Sequence, residues 1–237
     1  MAERVRRHAE LFRHGRSTER TVFFSDAVFA IAMTLLVLDL KVPELPDDAD
    51  SVAVTAALVS KVPALAGFML SFVLVGTTWV NHHRRFEAIV RYDSKLQVIN
   101  LLALFFVAFL PVPTSTLFEL AGNTPIPPML YAATIAGIFL SLNWLWRHAY
   151  RTGLMDPRVD EPLYRLALGR TTAVWTVFLV SIPVAVFFPS LAMYLWTATW
   201  PLGAVLRRVQ WKRFAAAQTK IFQAQDATEA AHRKMAG

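Results

Sequence analysis

Residues 20–43 read RTVFFSDAVFAIAMTLLVLDLKVP, and the apolar run inside them decides the fold class. From Thr21 to Leu40 only Asp26 and Asp39 carry charge. A helix of about 20 such residues crosses a ~30 Å hydrocarbon core. Six arginines precede the run and no small-residue cleavage site follows it. The helix is therefore expected to stay in the membrane and not to be removed as a signal peptide.

The rest of the 237 residues repeat this pattern. Uncharged stretches cover Val62–Asn81, Leu96–Phe118 and Leu120–Trp146, each long enough to span a bilayer. The last stretch, Thr171–Leu206, has 36 uncharged residues and would overshoot as one helix. Phe187-Phe188-Pro189-Ser190 lies midway and reads as a turn between a fifth span, starting near Pro162, and a sixth. The competing reading is five spans, with Pro183 and Pro189 kinking one long helix. With 55% apolar and 17% charged residues and a mean hydropathy of +0.42, the chain has too little polar surface for a water-soluble globule. The expected fold is an all-α membrane protein.

Charge distribution favours six spans. With six, 22 of the 24 lysines and arginines fall on one side, Lys41 and Lys61 excepted. Glu44, Asp47, Asp48, Asp50 and Glu119 fall on the other. The positive-inside rule then places both termini in the cytosol of a multi-pass protein of the cell membrane. Five spans would put the basic C-terminal cluster outside. The chain divides into a basic N-terminal segment (1–20), a six-helix membrane domain (21–211) and a polar C-terminal tail (212–237). The net charge of +7 flanks the apolar runs and forms no continuous stripe, so nucleic acid is not an expected partner.

Asp26 is the informative residue of the first helix. A carboxylate at membrane depth costs roughly 2.5–3.5 kcal/mol on insertion scales and faces protein or water. At about 100° per residue, Arg20 and Asp26 stand about 120° apart and do not pair face to face. Candidate partners at the same depth are Trp79 and His82 on the second span, and Asp93 and Asn100 at the start of the third. Ile31, Leu35 and Leu38 share one stripe of the first helix, with Thr34 at its flank. Asp26 points about 140° away from Ile31. A leucine-rich stripe of this kind also suits a lipid-facing or bundle-core surface.

Other chemistry is sparse. There is no cysteine, hence no thiolate nucleophile or ligand. His82 and His83 do not share a helix face, and only Glu87 stands at ligand spacing from His83, so no metal site is expected. No nucleophile elbow, zinc-protease motif or phosphate loop occurs, and neither a cofactor nor an enzymatic role is expected.

The run Arg20-Thr21-Val22-Phe23-Phe24-Ser25-Asp26 matches R-x-x-x-F-S-D, and with it the chain resembles the transmembrane protein 175 family of lysosomal and prokaryotic potassium channels. Trp79-x-x-His82-x-x-x-Phe86, Asp93 seven residues before Asn100, and Phe109-Leu110-Pro111 extend the match. The resemblance covers the first three spans. It implies a homotetramer with a central pore lined by helix one and no carbonyl-lined filter. By the same resemblance Ile31 forms the narrowest ring, Leu35 and Leu38 are further rings, and Thr34 places hydroxyls nearby. Arg20, Phe24, Ser25, Asp26, Trp79, His82, Asp93 and Asn100 become a motif and packing network. Because Arg20 falls near the pore stripe, it is expected to be paired or turned aside. The permeant species would be potassium, with sodium, caesium or protons as further candidates. The alternative is a proton-coupled or proton-conducting transporter using Asp26 and His82 as a relay.

Overall fold

The computed structural model describes residues 14–15, 19–38, 40, 45–46, 48–119 and 124–236. Arg4, Arg6, Arg7, Arg13 and Arg16 of the basic segment, and Asp39, Lys41, Glu44, Asp47 and Leu120, lie outside them. Among the described residues the first long helix is α1 (Glu19–Leu38). It is preceded by a short strand, β1 (His14–Gly15). Next come α2 (Ser51–Ser60) and α3 (Val62–Glu87), which meet at Lys61. Asp50 caps α2 by accepting a hydrogen bond from the Ala53 N–H at 2.8 Å.

The strand β2 (Tyr92–Asp93) pairs antiparallel with β1, His14 opposite Asp93 and Gly15 opposite Tyr92. Asp93 then caps α4 (Ser94–Phe109), accepting from the Leu96 N–H at 2.7 Å. The third span is not one uninterrupted helix. It breaks at Leu110 and resumes as α5 (Pro111–Glu119), because Pro111 has no N–H to continue the ladder. α6 (Ile126–Arg151) begins with Pro127 and Pro128, where missing N–H groups cost nothing.

α7 (Glu161–Phe187) starts beside Pro162, as the sequence predicts. It ends where Phe188 takes φ −138° and ψ 74°, outside the helical region. α8 (Pro189–Thr197) and α9 (Thr199–Ala236) follow. Trp196 donates its indole N–H to Ser181 Oγ at 2.9 Å and stacks near Phe178. Further on, Gln218 donates to Asp160, which caps the start of α7, at 2.6 Å. The chain after Phe188 therefore runs back alongside α7 to its beginning. A single kinked helix is excluded, and the returning segment is divided at Ala198 between α8 and α9.

By length and composition, five segments among the described residues suit a membrane span: Glu19–Leu38, Ser51–Glu87, Ser94–Leu117, Ile126–Arg151 and Glu161–Phe187. The second reaches further than the sequence reading allowed. Ser51–Ser60, which precedes the uncharged stretch beginning at Val62, is an apolar helix with no buried residue among the described residues. Its signal was the Asp50 cap before an uncharged run.

α6 is the most enclosed helix and packs against α4, α5 and α7. Phe29, Val75, Leu104, Ile135, Phe178 and Trp196 fill the core around Tyr131. Within that core Thr114 Oγ1 donates to the Leu110 carbonyl, at 2.8 Å. A hydroxyl has one proton, so Ser71 must donate to Thr114 (3.0 Å) and Tyr131 to Ser71 (3.1 Å). Every buried hydroxyl proton among the described residues finds an acceptor, which the apolar surroundings demand.

Candidate functional site

α1 has two unlike faces. Ser25, Phe29, Ala32 and Leu36 follow each other at three- and four-residue steps and are buried against the rest of the subunit. Ile31, Thr34, Leu35 and Leu38 lie on the opposite face and are exposed, Ile31 by 58% and Leu38 by 69%. Thr34 Oγ1 donates to the Ile31 carbonyl at 2.8 Å, which leaves its lone pairs directed outward. The stripe is thus a continuous apolar surface with one hydroxyl, and nothing among the described residues covers it.

The buried face is held by a one-way chain of hydrogen bonds. Ser25 Oγ donates to the Thr21 carbonyl at 2.8 Å, and so it accepts from Asn100 Nδ2 at 3.0 Å. Asn100 Oδ1 faces His82 Nε2 at 2.9 Å. An amide oxygen only accepts, so the proton of His82 sits on Nε2. His82 Nδ1 is enclosed without a partner. The ring stacks on Phe86 at 4.5 Å and leans on Phe29 at 5.3 Å. Three helices, α1, α3 and α4, are joined by this chain at one depth.

Asp26 takes a separate partner. Trp79 Nε1 donates to Asp26 Oδ1 at 2.8 Å. The structure therefore brings Ser25, Asp26, Trp79, His82 and Asn100 together between α1, α3 and α4. It does not bring Asp93 to them. That carboxylate caps α4 and faces His148 Nε2 at 2.8 Å, because the β1–β2 pairing sets it beyond the helix end. Phe24 is also outside the cluster, with 54% of its surface exposed, since it falls on the outer side of α1. Arg20 is exposed, and no ion pair is formed by it among the described residues. The expected pairing of Arg20 is thus not made among the described residues.

Sequence reasoning missed Arg85. Its guanidinium is buried and donates to the Leu142 carbonyl (2.5 Å), Asn143 Oδ1 (3.2 Å), Thr171 Oγ1 (2.9 Å) and the Ala167 carbonyl (3.4 Å). It also lies over the Trp146 ring at 5.6 Å. Thr171 in turn donates to Asn143. Arg85 was counted only as a loop charge, yet it pins α3 to α6 and α7. The adjacent pair His83 and Glu87 stands 3.5 Å apart at the surface.

Outside the spans, Asp156 accepts from the Arg158 backbone N–H and from its guanidinium at 2.8–2.9 Å. These contacts hold the Asp156 carboxyl down to about 2 and raise Arg158 further. They close the short loop that leads into α7.

Residues 20–111 match the model of the family described as endosomal/lysosomal potassium channel TMEM175. A potassium channel of Streptomyces collinus is 40% identical over 150 residues, covering 62% of this chain and 71% of the relative. The murine endosomal/lysosomal proton channel TMEM175 is 37% identical over 154 residues, which cover 61% of this chain but only 31% of that longer protein. Among solved structures, a lysosomal potassium-selective channel TMEM175 homologue from Chamaesiphon minutus superposes with a TM-score of 0.68 at 29% identity. It covers 81% of this chain and 97% of its own. The matched span contains the whole α1–α3–α4 cluster, and the bacterial relative carries the similarity through most of its length. This chain belongs to the TMEM175 family.

Proposed function

We propose that this chain is one subunit of a potassium-permeable channel in which four copies of α1 surround the ion path. The observation that carries the reading is the division of α1. One face is fastened by Phe29, Ala32, Leu36 and the Ser25–Asn100–His82 chain, while Ile31, Thr34, Leu35 and Leu38 stand uncovered. A closed ring of subunits places the same face of each helix toward the axis. The naming of the bacterial relatives as potassium channels agrees with this use of the face.

A constriction made of Ile31, Leu35 and Leu38 supplies no oxygen to replace a hydration shell. It passes ions when wide enough to stay wet and closes by dewetting when narrower. Discrimination of potassium over sodium is therefore modest. Asp26 is turned toward Trp79 and does not act as a pore-lining acid. With most of the basic residues at one end of the helices, both termini lie in the cytosol and the protein resides in the cell membrane.

Proton movement is the second reading, favoured by the name of the mammalian relatives. A relay from Asp26 to His82 gains no support from the hydrogen bonds, because the two residues bond to different partners. The test is potassium, sodium and proton flux from liposomes holding the purified protein, with oligomer size measured in parallel. Ile31→Ser and Leu35→Ala should raise potassium flux and weaken discrimination. Unchanged flux in both variants removes α1 from the ion path.

A further inference from the structure

We propose that the groove between α4, α6 and α7 binds an anionic phospholipid. The groove has a volume of about 900 Å³ and opens on the side of the subunit. Lys95, Arg147 and Arg151 gather at one end of it, each exposed, and no carboxylate lines it. Asp93, two residues before Lys95, is engaged with His148. Away from the charged end the walls are mostly apolar, with Leu102, Phe106, Leu140 and Trp144, and the neutral polar groups among them include Ser141 and Thr172.

The order of these groups along α6 matches the order of groups in a lipid. From Arg151 to Gly137 the helix rises about 21 Å at 1.5 Å per residue. That is a headgroup layer plus most of one leaflet, given a hydrocarbon core of about 30 Å for both. Arg147 and Arg151 stand at headgroup level, Trp144 one turn deeper, and Leu140 and Gly137 deeper again. An indole at that second level suits the interface between headgroups and chains. Three cations facing an anionic phosphate, above an apolar trough, attract a phosphatidylglycerol-type lipid more than a zwitterionic one. A soluble phosphate would use only the charged end. A second copy of this chain would bring its own basic belt against the same cations. The lipid alone matches both ends. The inference depends on the chain lying in a bilayer and not on whether the pore conducts.

The test is native mass spectrometry of the full-length protein, released from detergent after incubation with phosphatidylglycerol or phosphatidylcholine. The wild type should retain phosphatidylglycerol roughly tenfold better. Combined Lys95→Gln, Arg147→Gln and Arg151→Gln should abolish that preference. Leu140→Trp, which keeps every charge but fills the trough, should lose bound lipid as well. A control with Arg84→Gln, Arg208→Gln and Lys212→Gln, all exposed elsewhere, should retain it. Equal retention of both lipids, or retention by the triple groove variant, overturns the proposal. So does equal loss in the control, displacement by millimolar inorganic phosphate, or a change of oligomer size in Leu140→Trp.

Discussion

Trp79 donates its indole N–H to the Asp26 carboxylate across 2.8 Å and so ties α3 to α1. The carboxylate is thereby turned toward the neighbouring helix and away from the exposed stripe that begins at Ile31. Removing the donor should loosen the pair of helices. Trp79→Phe is expected to cost about 1 kcal/mol of stability, at the low end for a bond to a charged group because the pair is partly exposed. Asp26→Asn should likewise impair assembly. Both are read from the thermal unfolding midpoint and from size-exclusion of the oligomer. An unchanged midpoint and oligomer in both variants would leave the bond without a structural role.

Asn100 should matter more than Ser25. Asn100→Ala strands the His82 N–H in a buried place, at about 1–3 kcal/mol when unmet, and also removes the side chain's packing and its bond to Ser25 Oγ. Ser25→Ala removes the bond to the Thr21 carbonyl and leaves one buried Asn100 N–H unmet, at a similar cost for that donor. The expected order in thermal unfolding is Asn100→Ala below Ser25→Ala, with both below wild type. A reversed order would show that the chain of bonds is read in the wrong direction.

The two faces of α1 should separate stability from flux. Phe29→Ala opens a cavity in the core and should cost about 3–5 kcal/mol. Ile31→Ser, two residues on, lies on the exposed face of α1 and should change subunit stability by less than about 0.5 kcal/mol. Flux should respond in the opposite sense, strongly to Ile31→Ser. The two variants are compared side by side in unfolding and in liposome flux.

Gly137 permits the close approach of α4 to α6. A methyl group there would stand 2.7 Å from the Phe106 ring. Gly137→Ala should therefore cost about 1–3 kcal/mol through overpacking. Phe106→Leu added to Gly137→Ala should recover part of the loss, since it removes the atoms in the way. A midpoint for Gly137→Ala at or above wild type would count against this packing.

Much of the fold was legible because a bilayer imposes a length on every crossing. The apolar run after Arg20, the proline at 162 and the Phe187–Ser190 turn could all be placed by counting residues between charges. The divided face of α1 was legible for the same reason, since a 3.6-residue period assigns Ile31, Thr34, Leu35 and Leu38 to one side. Counting could not separate Asp93 from Asn100. Both sit near the start of α4, but one caps the helix from outside while the other points inward about two turns later. Depth along a helix is a one-dimensional coordinate, whereas hydrogen bonding depends on the direction of each side chain.

What the sequence determined alone is the membrane class, the approximate ends of the long apolar helices and the family motif, all properties local to the chain. Only the tertiary structure decided who pairs with whom. It gave Asp26 to Trp79, Asp93 to His148, and Arg85 to the carbonyl of Leu142 and the side chains of Asn143 and Thr171. These partners lie between 53 and 86 residues apart. They meet because each helix must bury its polar groups against another helix, where no water is available to satisfy them.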